Sequence, residues 1–378
     1  MREAVLSLAI LLTSAFPVRT WGQSDRPTSV SGMASDSTPL YGVSFERRDA
    51  VPGISASPAI ELPFECSSDG TMFISFVGTI PAAGGVPPPP TSPPTLLTAI
   101  SPAGHGQTFA LDQIPGLYVS REVGHYVSDS EVVFLVRASR ENEPVKQSYS
   151  VGNFHGEYTR NAAEQQLYIV NFTREGEYKR AVEIDDTFRI QQLGVFPSGT
   201  FLAFGFDTKD HSPKLVMLKE DGTLLKSLEI PKGDAPESML SPRESPHPLT
   251  VSPTQLVTAG RSILLVQNNS VFPILEVNEG GAIRAIHLKL PNDQEIESVI
   301  DSDRNLYVIA AKTDERNSNG TIYEVDEENG KALRRFQLIG VRTASDVACI
   351  HEGKFLSIDY SAGKVVPLVG SAEPATAK

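Results

Sequence analysis

Seven histidines, at positions 105, 125, 155, 211, 247, 287 and 351, are the side chains of this sequence best suited to metal ligation or proton transfer. None has a second His or a Cys at the short spacing of a zinc site, and neither HxH nor HExxH occurs. The sequence has no G-x-S-x-G elbow, no Walker loop and no G-x-G-x-x-G. Asp301-Ser302-Asp303 begins like a calcium loop but lacks the required Gly and distal Glu, and fits a strand turn better. The paired acids Asp185-Asp186 and Glu327-Glu328 sit at turns and strand ends, where solvation is their ordinary role. Two groups of candidates remain. His155, Tyr158 and His247 fall in long insertions. Arg121, Glu297, Arg342 and Asp346, with Glu61 and Arg189, stand where the first strand of a repeat begins. Opposed charges at one mouth can orient a polar ligand, or satisfy each other around trapped water.

The elements that must position these residues are six copies of one plan: an apolar strand, a tight turn, then a strongly apolar strand. They are FECSSDGTMFISFV from Phe64, GHYVSDSEVVFLV from Gly124, LGVFPSGTFLAFGF from Leu193, TQLVTAGRSILLV from Thr254, SVIDSDRNLYVIA from Ser298 and ACIHEGKFLSIDY from Ala348. Gly, Asp, Ser and Asn at the turns suit two-residue hairpins. The strand after each turn is rich enough in Phe, Leu, Ile and Val to be buried on both faces. A second hairpin follows in most copies, as in KLVMLKEDGTLLKSLEI and TIYEVDEENGKALRRFQLI. Four antiparallel strands in each repeat of roughly 40–60 residues predict an all-β fold, a β-propeller of six four-stranded blades. The sixth copy lacks a convincing fourth strand. The segment Leu40 to Arg47, LYGVSFER, is expected to supply it beside Lys364 to Val369, closing the ring over residues 40–370.

Turns within the hairpins are short, whereas the long connections lie elsewhere. Residues 79–95, 139–166 and 312–320 join second to third strands, and 232–250 joins two blades. In an up-and-down blade these connections emerge on one face. Loops on a rigid scaffold carry function more often than the scaffold itself, so this rim is the expected binding surface. Its proline tract, Pro87 to Pro94, favours extended polyproline II.

The sequence resembles the six-bladed propellers of the NHL-repeat and TolB-like kind. SVIDSDRNLYVIA carries the likeness, with Arg304 in place of the usual Gly of their strand–Asp-x-x-Gly-Asn–strand core. Such families include binding scaffolds, lactonases, lyases and quinone-dependent dehydrogenases, so the resemblance implies a fold rather than an activity. The features seen ask only for a scaffold that binds a protein, peptide or glycan ligand as a monomer. The alternative is a metal-dependent lactonase- or lyase-type enzyme with its ion in the channel, where one ligand per blade would leave no local signature. No cofactor is expected beyond that ion.

The net charge of −13 and the absence of a dense Lys/Arg run argue against nucleic acid and against anionic membranes. Arg2 followed by the apolar run Ala4 to Phe16, with Thr20 and Gly22 at a cleavage spacing, reads as a signal peptide over 1–22 cut near Gly22/Gln23. The run is too short for a bilayer span. The mature chain is therefore expected to be secreted or periplasmic, with polar disordered segments at 23–39 and 371–378. Three N-glycosylation sequons, at Asn171, Asn268 and Asn319, would matter in a eukaryotic source. The only two cysteines, Cys66 and Cys349, each stand four residues before the turn glycine of their repeat, Gly70 and Gly353. Ring closure makes those repeats neighbours. The pair is either a disulfide of an exported protein or two small buried thiols.

Overall fold

Hairpin chemistry sets the architecture. In the turn Phe196 to Thr200, the Phe196 amide donates to the Thr200 carbonyl at 2.8 Å and the Gly199 amide to the Phe196 carbonyl at 2.9 Å. This encloses three residues and needs a left-handed residue at its end, which Gly199 supplies at φ 84°. The same pair of bonds recurs at Ser67–Thr71, Thr173–Glu177, Lys219–Thr223 and Asn278–Ala282. These turns are thus three-residue loops with a glycine bulge, not the two-residue hairpins read from composition. Both kinds favour Gly, Asp and Ser, so composition alone does not separate them. His351–Lys354 is a true two-residue loop, with Glu352 and Gly353 at φ 48° and 70°.

The computed structural model describes residues 38–54, 60–76, 96–151, 154–185, 187–210, 212–231, 254–267, 273–290, 294–302, 305–312, 320–339, 347–360 and 364–375. The chain is all-β. Strand β1 (Leu40–Arg47) comes first and is used last. Strands β2 (Ile60–Cys66), β3 (Met72–Phe76), β4 (Leu96–Ile100) and β5 (Gly106–Phe109) form one antiparallel sheet in chain order. A single 3-10 turn, Leu111–Gln113, follows. The second sheet is β6 (Tyr118–Val127), β7 (Glu131–Ser139), β10 (Gln166–Thr173) and β11 (Tyr178–Ile184). Between β7 and β10, β8 (Pro144–Val151) and β9 (Phe154–Asn161) make a separate two-stranded ribbon. The third is β12 (Phe188–Val195), β13 (Phe201–Asp207), β14 (Pro213–Leu218) and β15 (Leu224–Leu228). The fourth is β16 (Thr254–Ala259), β17 (Ser262–Gln267), β18 (Ile274–Asn278) and β19 (Ile283–Ile286).

The last sheet has eight strands. Strands β20 (Gln294–Ser302), β21 (Asn305–Lys312), β22 (Thr321–Val325) and β23 (Ala332–Ile339) run in order, then come β1, β26 (Val366–Pro374), β25 (Lys354–Asp359) and β24 (Val347–His351). Strand β1 pairs antiparallel with β26, from Tyr41 opposite Pro374 to Arg47 opposite Leu368. It also pairs in parallel with β23, from Leu40 opposite Arg335 to Ser44 opposite Ile339. The parallel contact, which merges two four-stranded units into one sheet, was not legible beforehand. Strand β26 also corrects two boundaries. It runs from Val366 to Pro374, whereas the sequence suggested 364–369 and a disordered tail from Ser371. The polar residues Ser371 and Glu373 disguise a strand whose backbone is satisfied by β1.

Among the described residues, apolar clusters lie between successive sheets and between the two halves of the eight-stranded sheet. Phe73, Phe109 and Phe134 meet between the first and second, and Ile169, Leu193 and Phe201 between the second and third. Leu202, Leu265 and Val277 join the third to the fourth, and Leu264, Val299 and Val308 the fourth to β20–β23. Val43, Phe336 and Phe355 join β20–β23 to β24–β26 with β1. Met72, Ile74, Cys349 and Leu356 bring that unit back against the first. The first strands follow the same succession: β6 adjoins β2 and β12, β16 adjoins β12 and β20, and β24 adjoins β20 and β2. Cys66 of β2 and Cys349 of β24 are joined by a disulfide, with Cα atoms 5.2 Å apart.

One sequon is ruled out as a glycan site on the folded chain. Asn171 is fully buried in β10, and its amide donates to Glu131 at 2.6 Å. Asn268 and Asn319 lie outside the described residues. Among the described residues, no helix is long and apolar enough to cross a membrane.

Candidate functional site

The most unusual ionisable cluster lies on two adjoining first strands, β2 and β6. In a regular strand, residues three apart point to opposite faces. Strand β6 breaks that rule by shifting register between Glu122 and Gly124, and β2 does so between Glu61 and Glu65. Such bulges re-aim side chains. His125 Nδ1 therefore reaches Glu122 Oε1 at 2.8 Å although the two are three residues apart. The imidazole packs against the Phe134 ring, with centroids 6.2 Å apart. Gly124 makes the room: a Cβ there would stand 2.8 Å from the Tyr126 hydroxyl. Tyr126 is buried and reaches the Leu193 amide of β12, tying the second sheet to the third.

Glu65 faces this group from β2. Burial is the main cause that pushes its carboxyl up from 4.5 to about 7, and the Glu122 charge adds to the effect. His125 and the Val127 backbone amide oppose it. Burial, then the Glu65 charge, keep the Tyr126 phenol protonated. The Glu122 side chain is only 6% exposed, and its Oε2 is buried without a hydrogen-bond partner. The arrangement sets a raised carboxyl, Glu65, beside the hydrogen-bonded Glu122–His125 pair. No serine or thiol nucleophile is aligned with it among the described residues.

The direction of the Glu65 shift fixes a pH dependence. Its folded value lies above the ordinary one, so the folded state holds the proton more tightly. The stability it contributes is full below about pH 4.5 and is lost as pH rises through about 7. Glu65→Gln is expected to flatten the stability–pH profile between those values and to raise stability at about pH 8 by about 2–3 kcal/mol. Urea melts across that range check it, and parallel profiles for both proteins would contradict the assignment.

The residues expected from sequence are not gathered here. Arg121 is exposed on β6, opposite Arg137 of β7. Glu297 is exposed in the bulge of β20. His155 and Tyr158 lie on β9, opposite Ser150 and Gln147 of β8, in a ribbon rather than the irregular loop expected. Glu61 is on β2 and Arg189 on β12. His247, Arg342 and Asp346 lie outside the described residues. Among the described residues, no three His, Cys, Asp or Glu side chains converge as metal ligands. Sequence reasoning missed Glu65, Glu122 and His125 as a group because only the bulges bring them together.

Consecutive four-stranded antiparallel sheets, each begun by an innermost strand and packed face to face in succession, define a β-propeller. No protein-family model matches the chain, and no curated protein does. Among solved structures, TolB from Acinetobacter baumannii is similar at 9% identity and TM-score 0.36, over 74% of this chain and 61% of that one. YCF48 bound to D1 peptide is similar at 8% identity and TM-score 0.38, over 92% and 99%. A Bacteroides caccae protein of unknown function is similar at 13% identity and TM-score 0.33, over 70% and 74%. Identities of this size transfer no site residue.

Proposed function

We propose that the chain is an exported, six-bladed β-propeller of the NHL-repeat or TolB-like kind that works as a binding scaffold through one elaborated rim. The six blades are supported by the six apolar clusters and by the cyclic succession of first strands. Export, with cleavage near Gly22/Gln23, is supported by the apolar run at 4–16 and by a disulfide that an oxidising compartment would keep.

The observation that carries the binding reading is the asymmetry of the connections. At the end of the sheets where first strands meet second strands, every described turn is tight. At the other end are the strand ends Phe76 and Leu96, Ser139 and Gln166, Leu228 and Thr254, and Lys312 and Thr321, between which long connections run, the β8–β9 ribbon within one of them. That ribbon is a sheet of two strands, with no third among the described residues. A two-stranded sheet offers edges to which an extended peptide can add a strand. The ligand proposed is accordingly a protein or peptide rather than a glycan.

The test compares the intact mature protein with a variant whose ribbon, residues 144–161, is replaced by a short Gly-Ser turn. Both are used as bait in the source organism's own extract, and the recovered partner is remeasured in purified form. A partner bound by the intact protein and at least about tenfold more weakly by the variant supports the rim. Equal binding by both, or loss only when the Ser198–Gly199 turn at the opposite end is altered, overturns it.

A further inference from the structure

Strand β6 shifts register a first time nearer the rim, between Val119 and Arg121. Val119 packs against the cluster shared with the first sheet. Tyr118 stands directly opposite Ser139 of β7, and Arg121 directly opposite Arg137. Ser139 and Arg137 are two residues apart and share a face, so the bulge brings Tyr118 and Arg121 to one side although they are three apart. Like charges directly opposite on paired strands are destabilising. Arg137 is half-buried and engaged within the fold, whereas Arg121 is exposed and has no ion-pair partner among the described residues. Strand β9 of the ribbon adjoins β6 and adds Arg160, exposed and directly opposite the exposed Val145 of β8. Tyr118 and Val123 of β6 are exposed as well. Three arginines and three exposed apolar side chains thus lie on β6, on its partner β7 and on the ribbon beside them, in a chain of net charge −13. We propose that the extended peptide taken up at the ribbon is an acidic one, selected through its carboxylates by Arg121, Arg137 and Arg160. This rests on the rim reading above and adds to it the chemistry of the partner.

A guanidinium presents paired N–H donors that match the two oxygens of a carboxylate. A carboxylate received beside Arg121 and Arg137 offsets the like-charge cost of that cross-strand pair, and such complementarity selects between partners more than it adds raw affinity. Alternate residues of an extended peptide point the same way, so acids at every second position can address the arginines while the backbone adds to the ribbon edge. Tyr118, Val123 and Val145 offer apolar contact beside them. A nucleic acid does not fit, because its uniformly anionic backbone would meet the negative charge of the rest of the chain. The acids on the same elements leave the patch cationic. Glu122 stands opposite Val136, on the other face of β6 and β7, and is bonded to His125. Arg140, just after β7, lies 3.9 Å from Glu183. Glu141 and Glu143, exposed in the link from β7 to β8, bound the patch on that side.

The test titrates the full mature chain against fluorescein-labelled octapeptides, otherwise blocked at both ends, that alternate threonine with glutamate, glutamine or lysine. Fluorescence anisotropy is the readout. The glutamate peptide is expected to bind saturably and at least about tenfold more tightly than the other two, with the gap narrowing as salt is raised. Arg121→Glu is expected to abolish that preference without lowering Tm, because Arg121 is exposed. Arg160→Glu gives the same readout from the ribbon. Equal affinity for the glutamate and lysine peptides, an undiminished glutamate preference in both variants, or no saturable binding of the glutamate peptide below about 1 mM would overturn the acidic selection. The chain with residues 144–161 replaced separates this inference from the rim reading. If it binds the glutamate peptide as the intact chain does, still in dependence on Arg121, the arginine selection stands and the ribbon edge falls.

Discussion

A chain that begins at Arg48, without β1, is expected to lose up to about 6 kcal/mol of stability or to fail to fold. Strand β1 is the sole covalently distant strand of its sheet and has partners on both sides, β26 and β23. Val43 is fully buried in the cluster shared with Phe336 and Phe355, and Tyr41 and Phe45 pack against it. Burying three such side chains is worth about 2 kcal/mol each at most, with half-buried ones contributing less. Removing β1 also opens the β26 edge along seven residue pairs, and an open apolar edge invites association. For a domain of this size, 6 kcal/mol corresponds to a fall in Tm on the order of 8 °C. A point change separates packing from truncation. Val43→Asp places an unpaired charge in the same cluster and is expected to cost at least about 3 kcal/mol. Ser44→Ala, at an exposed position of the same strand, is expected to leave Tm unchanged. Calorimetry on the three proteins checks the set. A shortened chain melting with the intact one would mean that β1 decorates the sheet rather than completing it.

What could be read from the sequence follows from period and turn chemistry. Alternating apolar strands and Gly-bearing turns repeat along the chain, so the sheets and the order of strands within them were legible. The role of Leu40–Arg47 was legible too, because the sixth copy lacked a strand and this segment was unassigned. The parallel pairing of β1 with β23 was not, since nothing in an edge strand's composition names its second neighbour. The ribbon at 144–161 was hidden because polar and aromatic residues mix in it, and it was read as an insertion. The ionisable cluster was hidden for a different reason. Sequence spacing assigns Glu122 and His125 to opposite faces, and only a bulge reverses that assignment. Bulges leave little trace in a single sequence.

Replacing both Cys66 and Cys349 by Ala is expected to lower Tm on the order of 7 °C, and reductant is expected to do the same to the unaltered protein. The bond joins β2 to β24, so it clasps the first four-stranded unit to the last across 283 residues of chain. A Cα separation of 5.2 Å is within the range that a bridge accepts. In the chain-entropy account, a loop of that length removes enough freedom from the unfolded state to stabilise the fold by about 5 kcal/mol. Cys349 is fully buried among Met72, Ile74 and Leu356, so Ala leaves a small cavity of its own. The reductant arm isolates the bond from that cavity, because the double Ala protein is expected not to respond to it. The cycle can be extended to β1, which also closes the succession of sheets near its last unit. In a chain whose clasp is intact, frayed ends stay close and β1 can re-pair. Val43→Asp in the double Ala background is therefore expected to cost more than the two effects added, since the first unit is then held to the last by apolar contact alone. Strict additivity, or two free thiols per chain on counting in denaturant without reductant, would remove the clasp from the account of how this ring is held shut.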